Sequence, residues 1–172
     1  MLVKRAMSKN VVSVSVPGNR EKVLDLMRKE DKAVLPVVKG DTKQLVGLIT
    51  RSDLIVNPDE EQIAILMSTD LVTASPDDDV ADVAKKMIDN NVRRVPVVDD
   101  NGDLVGIITS FDLVSNALIK LESDDPVENF MITTVPTTWY KTPLNVAFET
   151  MKQFGLKSVL ALNDSAKLVG IL

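Results

Sequence analysis

The sequence predicts a mixed α/β (α+β) fold: tandem β-α-β-β-α repeats paired with pseudo-two-fold symmetry, plus a truncated third repeat. Three observations predict it. The chain repeats itself at an interval of about 60 residues, as arrays of one supersecondary unit do. Within each copy the apolar period switches between two and 3.6 in one fixed order. A unit of about 55 residues buries too little surface to be stable alone, so two units are expected to pair and leave clefts between them.

The repeat places Met7-Ser8 on Met67-Ser68, Val12 on Val72, Val23 on Val83, Met27 on Met87 and Pro36-Val37-Val38 on Pro96-Val97-Val98. With one residue dropped in the intervening turn, Leu45 to Thr50 falls on Leu104 to Thr109, and Asp53-Leu54 on Asp112-Leu113. A fainter third copy begins near residue 126, carried by Met131, Thr137, Met151, Val159 and Leu168-Val169-Gly170-Ile171. The expected boundaries are 1–58 and 59–122 for a pair of repeats, and 123–172 for a partial third repeat truncated at its C-terminus, with a fourth missing.

Each copy opens on a strand. Val12, Val14 and Val16 alternate with Ser13 and Ser15, and Pro17-Gly18 ends the run. A helix follows, with Val23, Leu26 and Met27 at helical spacing in the first copy and Val80, Val83, Ala84 and Met87 in the second. Two apolar strands come next, Val34–Val38 and Leu45–Thr50, joined by a polar turn. The second copy's turn holds Asn101-Gly102, residues that tolerate positive φ. A last helix starts at Ser52 or Ser110. Pro58 cuts it short in the first copy, whereas in the second it runs through Leu113, Leu118 and Ile119 toward the third unit.

Composition narrows the chemistry. The 172 residues include no Cys and no His, which removes disulfides, zinc–thiolate sites, thiol nucleophiles and imidazole bases. No nucleophile-and-base constellation emerges from the remaining side chains, so the chain is not expected to be an enzyme. A net charge of −5 argues against a nucleic-acid partner, while a single nucleotide needs only one or two cations. No apolar run approaches the roughly 20 residues that a bilayer demands, and residues 1–16 show no secretory signal. A cytoplasmic protein without membrane contact is expected.

The residues that carry chemistry stand at the end of the third strand. Thr50 and Asp53, and again Thr109 and Asp112, set a hydroxyl and a carboxylate three residues apart at a strand-to-helix junction. Such a pair suits a ribose diol, with free amides at the helix start for a phosphate. It equally suits a helix-capping box. Both readings stand at this point.

Taken together, Met7-Ser8 and Met67-Ser68, the Pro-Val-Val strands and the twice-occurring Gly, two apolar, Thr, two spacers, Asp pattern resemble the CBS domain family. These modules are named after cystathionine beta-synthase and are found also in IMP dehydrogenase and the AMP-activated kinase gamma subunits. The resemblance covers almost the whole chain. It implies that paired repeats bind an adenosine-containing ligand, AMP, ADP, ATP or S-adenosylmethionine, with no required cofactor. Carried over residue by residue, it implies one cleft gathering Thr50 and Asp53 with Thr73, Arg93 and Arg94, and another gathering Thr109 and Asp112 with Ser13, Ala33 and Val34. Because Arg93 and Arg94 replace Ala33 and Val34, only the first cleft is expected to put guanidinium groups near a phosphate and to bind more tightly. The bland alternative leaves both arginines solvated and paired with Asp89 or Asp99.

Other features read as structural. Met27, Met87 and Met151 recur at one helical position, as core filler does. Asp77-Asp78-Asp79 lacks the alternating ligands of a calcium loop and suits a helix start. Trp139 and Tyr140 have no counterpart in the other copies. Thr137 and Lys157 match Thr73 and Arg93, but the third copy lacks the Thr and Asp pair and is expected to hold no ligand and to expose an edge. The expected role is a regulatory sensor, a homodimer through its paired repeats, signalling to an unknown effector; the rival is an architectural assembly module with no nucleotide.

Overall fold

The computed structural model describes residues 1–118, 125–156 and 158–172, and the chain forms two compact units, Met1–Glu122 and Ser123–Leu172. Ile119 and Lys157 lie outside the described residues.

In the first unit the order is β1 (Val14–Val16), α1 (Arg20–Lys29), β2 (Val34–Lys39), β3 (Leu45–Thr50), α2 (Arg51–Val56), α3 (Ile63–Leu66), α4 (Val80–Asp89), β4 (Arg94–Val98), β5 (Leu104–Thr109) and α5 (Ser110–Leu118). β1 runs parallel to β2, which runs antiparallel to β3. β4 and β5 form the equivalent antiparallel pair. The second copy's opening strand is reduced to a parallel bridge between Ala74 and Val97. Pro76 has no amide to donate and its carbonyl accepts instead from Lys4 N at 2.9 Å.

The apolar positions of the helices become the core. α1 buries Val23 and Met27, and α4 buries Val83 and Met87, each an i, i+4 pair on one face. Asn19 caps α1 by accepting from Lys22 N at 3.1 Å, and Asp79 caps α4 by accepting from Ala81 N at 2.8 Å. Leu35 to Val38 are all buried because β2 is the middle strand and is covered on both faces. Gly102 sits at φ +80° in the β4–β5 turn, a conformation that excludes most side chains.

The two cores are completed by exchange. Val3 and Ala6, at the start of the chain, are buried with Val83, Met87, Val97 and Ile108 of the second repeat. Ile63 and Leu66, which open the second repeat, are buried with Val23, Met27, Leu35 and Ile49 of the first. The exchange is locked by backbone hydrogen bonds: Ser8 N to Ile107 O at 2.9 Å and Ile107 N to Ser8 O at 3.0 Å, then Ser68 N to Leu48 O at 2.8 Å and Leu48 N to Ser68 O at 3.0 Å. Glycine makes it possible. A Cβ at Gly106 would lie 2.5 Å from Met7 Sδ, and one at Gly47 would lie 2.5 Å from Met67 Sδ. The recurrent Met-Ser and Gly of the sequence are thus two halves of one contact. The turns also pair, through Leu104 N to Lys43 O at 2.8 Å and Leu45 N to Gly102 O at 3.1 Å.

The three consecutive aspartates have separate tasks. Asp77 pairs with Lys4, Asp79 caps α4 and accepts from the chain's amino terminus at 2.9 Å, and Asp78 Oδ2 accepts from Lys86 Nζ at 3.1 Å and Ser75 N at 3.2 Å. The Lys86 hydrogen bond holds the Asp78 carboxyl below the ordinary carboxylate range.

The second unit repeats the same order: β6 (Thr137–Trp139) parallel to β7 (Leu160–Leu162), which is antiparallel to β8 (Leu168–Ile171), with α6 (Leu144–Gln153) burying Ala147 and Met151. Met27, Met87 and Met151 are therefore all core residues. Trp139 is held locally: its Nε1 donates to Asp164 Oδ1 at 2.9 Å, and its ring meets Tyr140 edge-on at 5.7 Å.

Gly106→Val should destabilise the first unit by about 1–3 kcal/mol in urea unfolding, because Met7 and the Ser8 carbonyl leave no room for the added carbons. For Asp78 the sign follows from its depressed pKa: its contribution is full above about pH 4 and is lost as pH falls through the folded-state value. Thermal melts at low ionic strength should show Asp78→Asn with a flatter decline in stability below pH 4 than the parent chain.

Candidate functional site

Both hydroxyl–carboxylate pairs form caps. Thr50 Oγ1 accepts from Asp53 N at 3.2 Å, while Asp53 Oδ2 accepts from Thr50 N at 2.7 Å and from Thr50 Oγ1 at 2.8 Å. Thr109 and Asp112 reproduce these contacts at 3.2, 2.8 and 2.6 Å. The capping reading is therefore realised in both repeats. It leaves one oxygen over. The helix start uses only Oδ2, and Oδ1 of Asp53 and of Asp112 has no hydrogen-bond partner among the described residues.

A cavity of about 290 Å³ opens between the first and second repeats, close to the lower end of ligand pockets at roughly 300 Å³. It brings Thr109 and Asp112 of the second repeat together with Ala33 and Val34 of the first. Val11, Val12, Leu35 and Ile107 give it apolar walls, and Asn10, Asp31, Lys32 and Arg94 give it polar ones.

Ser13, just before β1, borders hollows beside Lys22 and Val23 and beside Thr42 and Lys43. Arg94 lines this cavity. The reason is register: on the β4–β5 ladder Arg94 stands opposite Thr109, within the same repeat. Val34 and Arg94, equivalent in the two repeats, both reach this one cavity.

Thr50, Asp53, Thr73 and Arg93 are not on its wall. Arg93 O accepts from Ser110 N at 2.9 Å, the contact that Ala33 O makes with Arg51 N at 2.9 Å, so the two residues occupy equivalent places. Thr73 O accepts from Lys86 Nζ at 3.4 Å. Among the described residues neither arginine has an ion pair, and neither Asp89 nor Asp99 approaches them as a partner. Their charge is available to a ligand.

Asn10 and Val11 were missed by motif reasoning, as was Lys32 in the α1–β2 link; for the first two a signal existed. The signal was topological: a chain bonded at Ser8 to the second repeat's β5 and returning to the first repeat must cross the mouth between them.

The family model for the CBS domain matches residues 3–58, 61–118 and 127–172. Protein MJ0188 of Methanocaldococcus jannaschii is 30% identical over 120 residues, covering 69% of this chain and 44% of its own length. Inosine-5′-monophosphate dehydrogenase of Thermoplasma acidophilum is 30% identical over 124 residues, covering 72% of this chain and 25% of the enzyme. The chain thus spans less than half the length of either. Among solved structures, protein MJ1225 from Methanocaldococcus jannaschii shares the fold at TM-score 0.86 and 21% identity, over 100% of this chain and 69% of its own. The CBS domain pair of protein MJ0100 is 32% identical at TM-score 0.64, over 70% of this chain and 98% of its own, and holds 5′-methylthioadenosine and S-adenosyl-L-methionine. The cytosolic domain of the Mg2+ channel MgtE, 31% identical at TM-score 0.58 over 64% of this chain and 46% of its own, holds ATP.

Thr109→Ala should cost about 0.5–2 kcal/mol in urea unfolding, and Thr109→Ser much less, since only the serine keeps an oxygen for the Asp112 amide.

Proposed function

The chain belongs to the CBS domain family, and from that premise we propose that its first two repeats bind an adenosine-containing ligand and pass that event to an effector. One observation carries the reading: Thr109, Asp112, Ala33, Val34 and Arg94 meet in a single cavity of nucleoside size, and the carboxylate keeps an oxygen that the cap does not use. In this reading Asp112 Oδ1 accepts from the ribose hydroxyls, Val11, Val12 and Val34 hold the adenine, and Arg94 with Lys32 meets a phosphate or carboxylate. The ligands held by the MJ0100 pair and by the MgtE domain support the adenosine class.

The equivalent cleft of Thr50 and Asp53, with Thr73 and Arg93, is proposed as a second site. No catalytic step is proposed for the chain. Among the described residues no helix is long and apolar enough to cross a membrane.

Calorimetry on the whole chain with AMP, ADP, ATP, S-adenosylmethionine and 5′-methylthioadenosine tests this. At least one should bind below millimolar concentration, and Asp112→Asn should weaken every one that does. Arg94→Gln removes an exposed, unpaired cation without touching the core. It should weaken the anionic ligands about 10- to 100-fold, the worth of a hydrogen bond to a charged group, and leave 5′-methylthioadenosine unchanged. Silence across the panel would leave a purely architectural pair, and release of product from ATP would overturn the non-enzymatic reading.

A further inference from the structure

The stretch of chain between Ser8 and β1 borders two hollows. Ser8, Asn10 and Val12 line the cavity described above, the alternate residues Lys9 and Ser13 line a separate hollow of about 180 Å³, and Val11 borders both. With Val11, the nearly buried Val38 and Leu104, 8% and 9% exposed, give this second hollow an apolar floor. Its rim is polar. Thr42 Oγ1 donates to Lys39 O at 2.6 Å and accepts from Gln44 N at 3.2 Å, which fixes the turn that carries Lys43. Lys43 O accepts from Leu104 N at 2.8 Å and so joins rim to floor.

Every charge on that rim is positive. Among the described residues Lys9 and Lys43 have no ion pair and Ser13 Oγ has no hydrogen bond, while Asp41 and Asp103, acids of the adjoining turns, are not on the wall. The fold does not ask for these cations. Thr69 and Gly102 stand in the second repeat where the first has Lys9 and Lys43, and the turn there carries Asp99, Asp100 and Asp103. Leu45 N donates to Gly102 O at 3.1 Å as Leu104 N does to Lys43 O, so the backbone is the same and the charge is opposite.

We infer that this hollow is a binding site for a small phosphomonoester, with the phosphate between Lys9 and Lys43, the Ser13 hydroxyl as a further donor, and the carbon body on Val11, Val38 and Leu104. Two ammonium groups match the roughly 1.5 to 2 negative charges of a phosphomonoester at neutral pH, where a carboxylate offers only one. Charge-assisted hydrogen bonds from lysine to phosphate oxygens are the strong kind. The floor separates such a ligand from free orthophosphate, because burying carbon against it adds to the affinity. The inference rests on Lys9 and Lys43, which the adenosine reading does not use.

Backbone amide resonances of the whole chain, followed by NMR during titration with phenyl phosphate, test this. The amides of Lys9, Val11, Ser13, Lys43 and Leu104 should shift together along one saturable curve. Lys9→Gln combined with Lys43→Gln, both at exposed positions, should weaken that binding about tenfold or more, the worth of a hydrogen bond to a charged group, while the rest of the spectrum keeps the parent fold. Orthophosphate and benzyl alcohol should each bind about tenfold more weakly than phenyl phosphate, since one lacks the carbon body and the other the charge. Shifts confined to Lys32, Val34 and Arg94 would put the anion in the neighbouring cavity and overturn the proposal. So would binding that the double variant leaves intact, or orthophosphate bound as tightly as phenyl phosphate. A silent adenosine panel in the calorimetry would leave this result unaffected.

Discussion

Neither of the first two repeats contains its own complete core, and that exchange is the constraint from which the rest of the unit follows. A methionine from one repeat lies flat on a glycine of the other, twice, and beside each contact an apolar pair enters the opposite core. Adding a methyl group to either glycine would push the methionine off the sheet. Because Ser8 is hydrogen-bonded to Ile107 on β5, the chain must travel from the second repeat back to β1, and Asn10 and Val11 end up on the rim of the cavity. The site is a by-product of the crossing.

Within that frame, capping and ligand recognition do not compete. The Thr and Asp of each repeat hold the helix start with one carboxylate oxygen, which freezes the side chain with its other oxygen already oriented. A group immobilised before the ligand arrives loses little entropy on binding. The frame is nearly symmetric, but its chemistry is not: the same strand position is Val34 in one repeat and Arg94 in the other, and both face one hollow. A ligand with an apolar end and an anionic end fits such a hollow in one orientation.

Much of this architecture was legible in the residues. The helical faces of Val23 with Met27 and Val83 with Met87 are the buried faces, and Gly102 takes the positive φ that its turn asked for. Pro58 lies just beyond the end of α2 at Val56. The exchange was not legible, because a repeat spacing is the same whether Val3 joins its own sheet or its neighbour's. Which hollow Arg94 borders is likewise decided by strand register and by which repeat faces it, not by its distance from Pro96. The shortened opening strand of the second copy depended on Pro76 giving its carbonyl to Lys4, a contact between distant stretches that no local period records.

The crossing also orders events at the ribosome. Met7 and Ser8 are made about a hundred residues before Gly106 and Ile107, on which they settle. Neither repeat can mature during synthesis while its missing piece waits on the other, so the two halves are expected to consolidate together once β5 has emerged. Cutting such a domain between its repeats would yield two pieces that each carry part of the other's core.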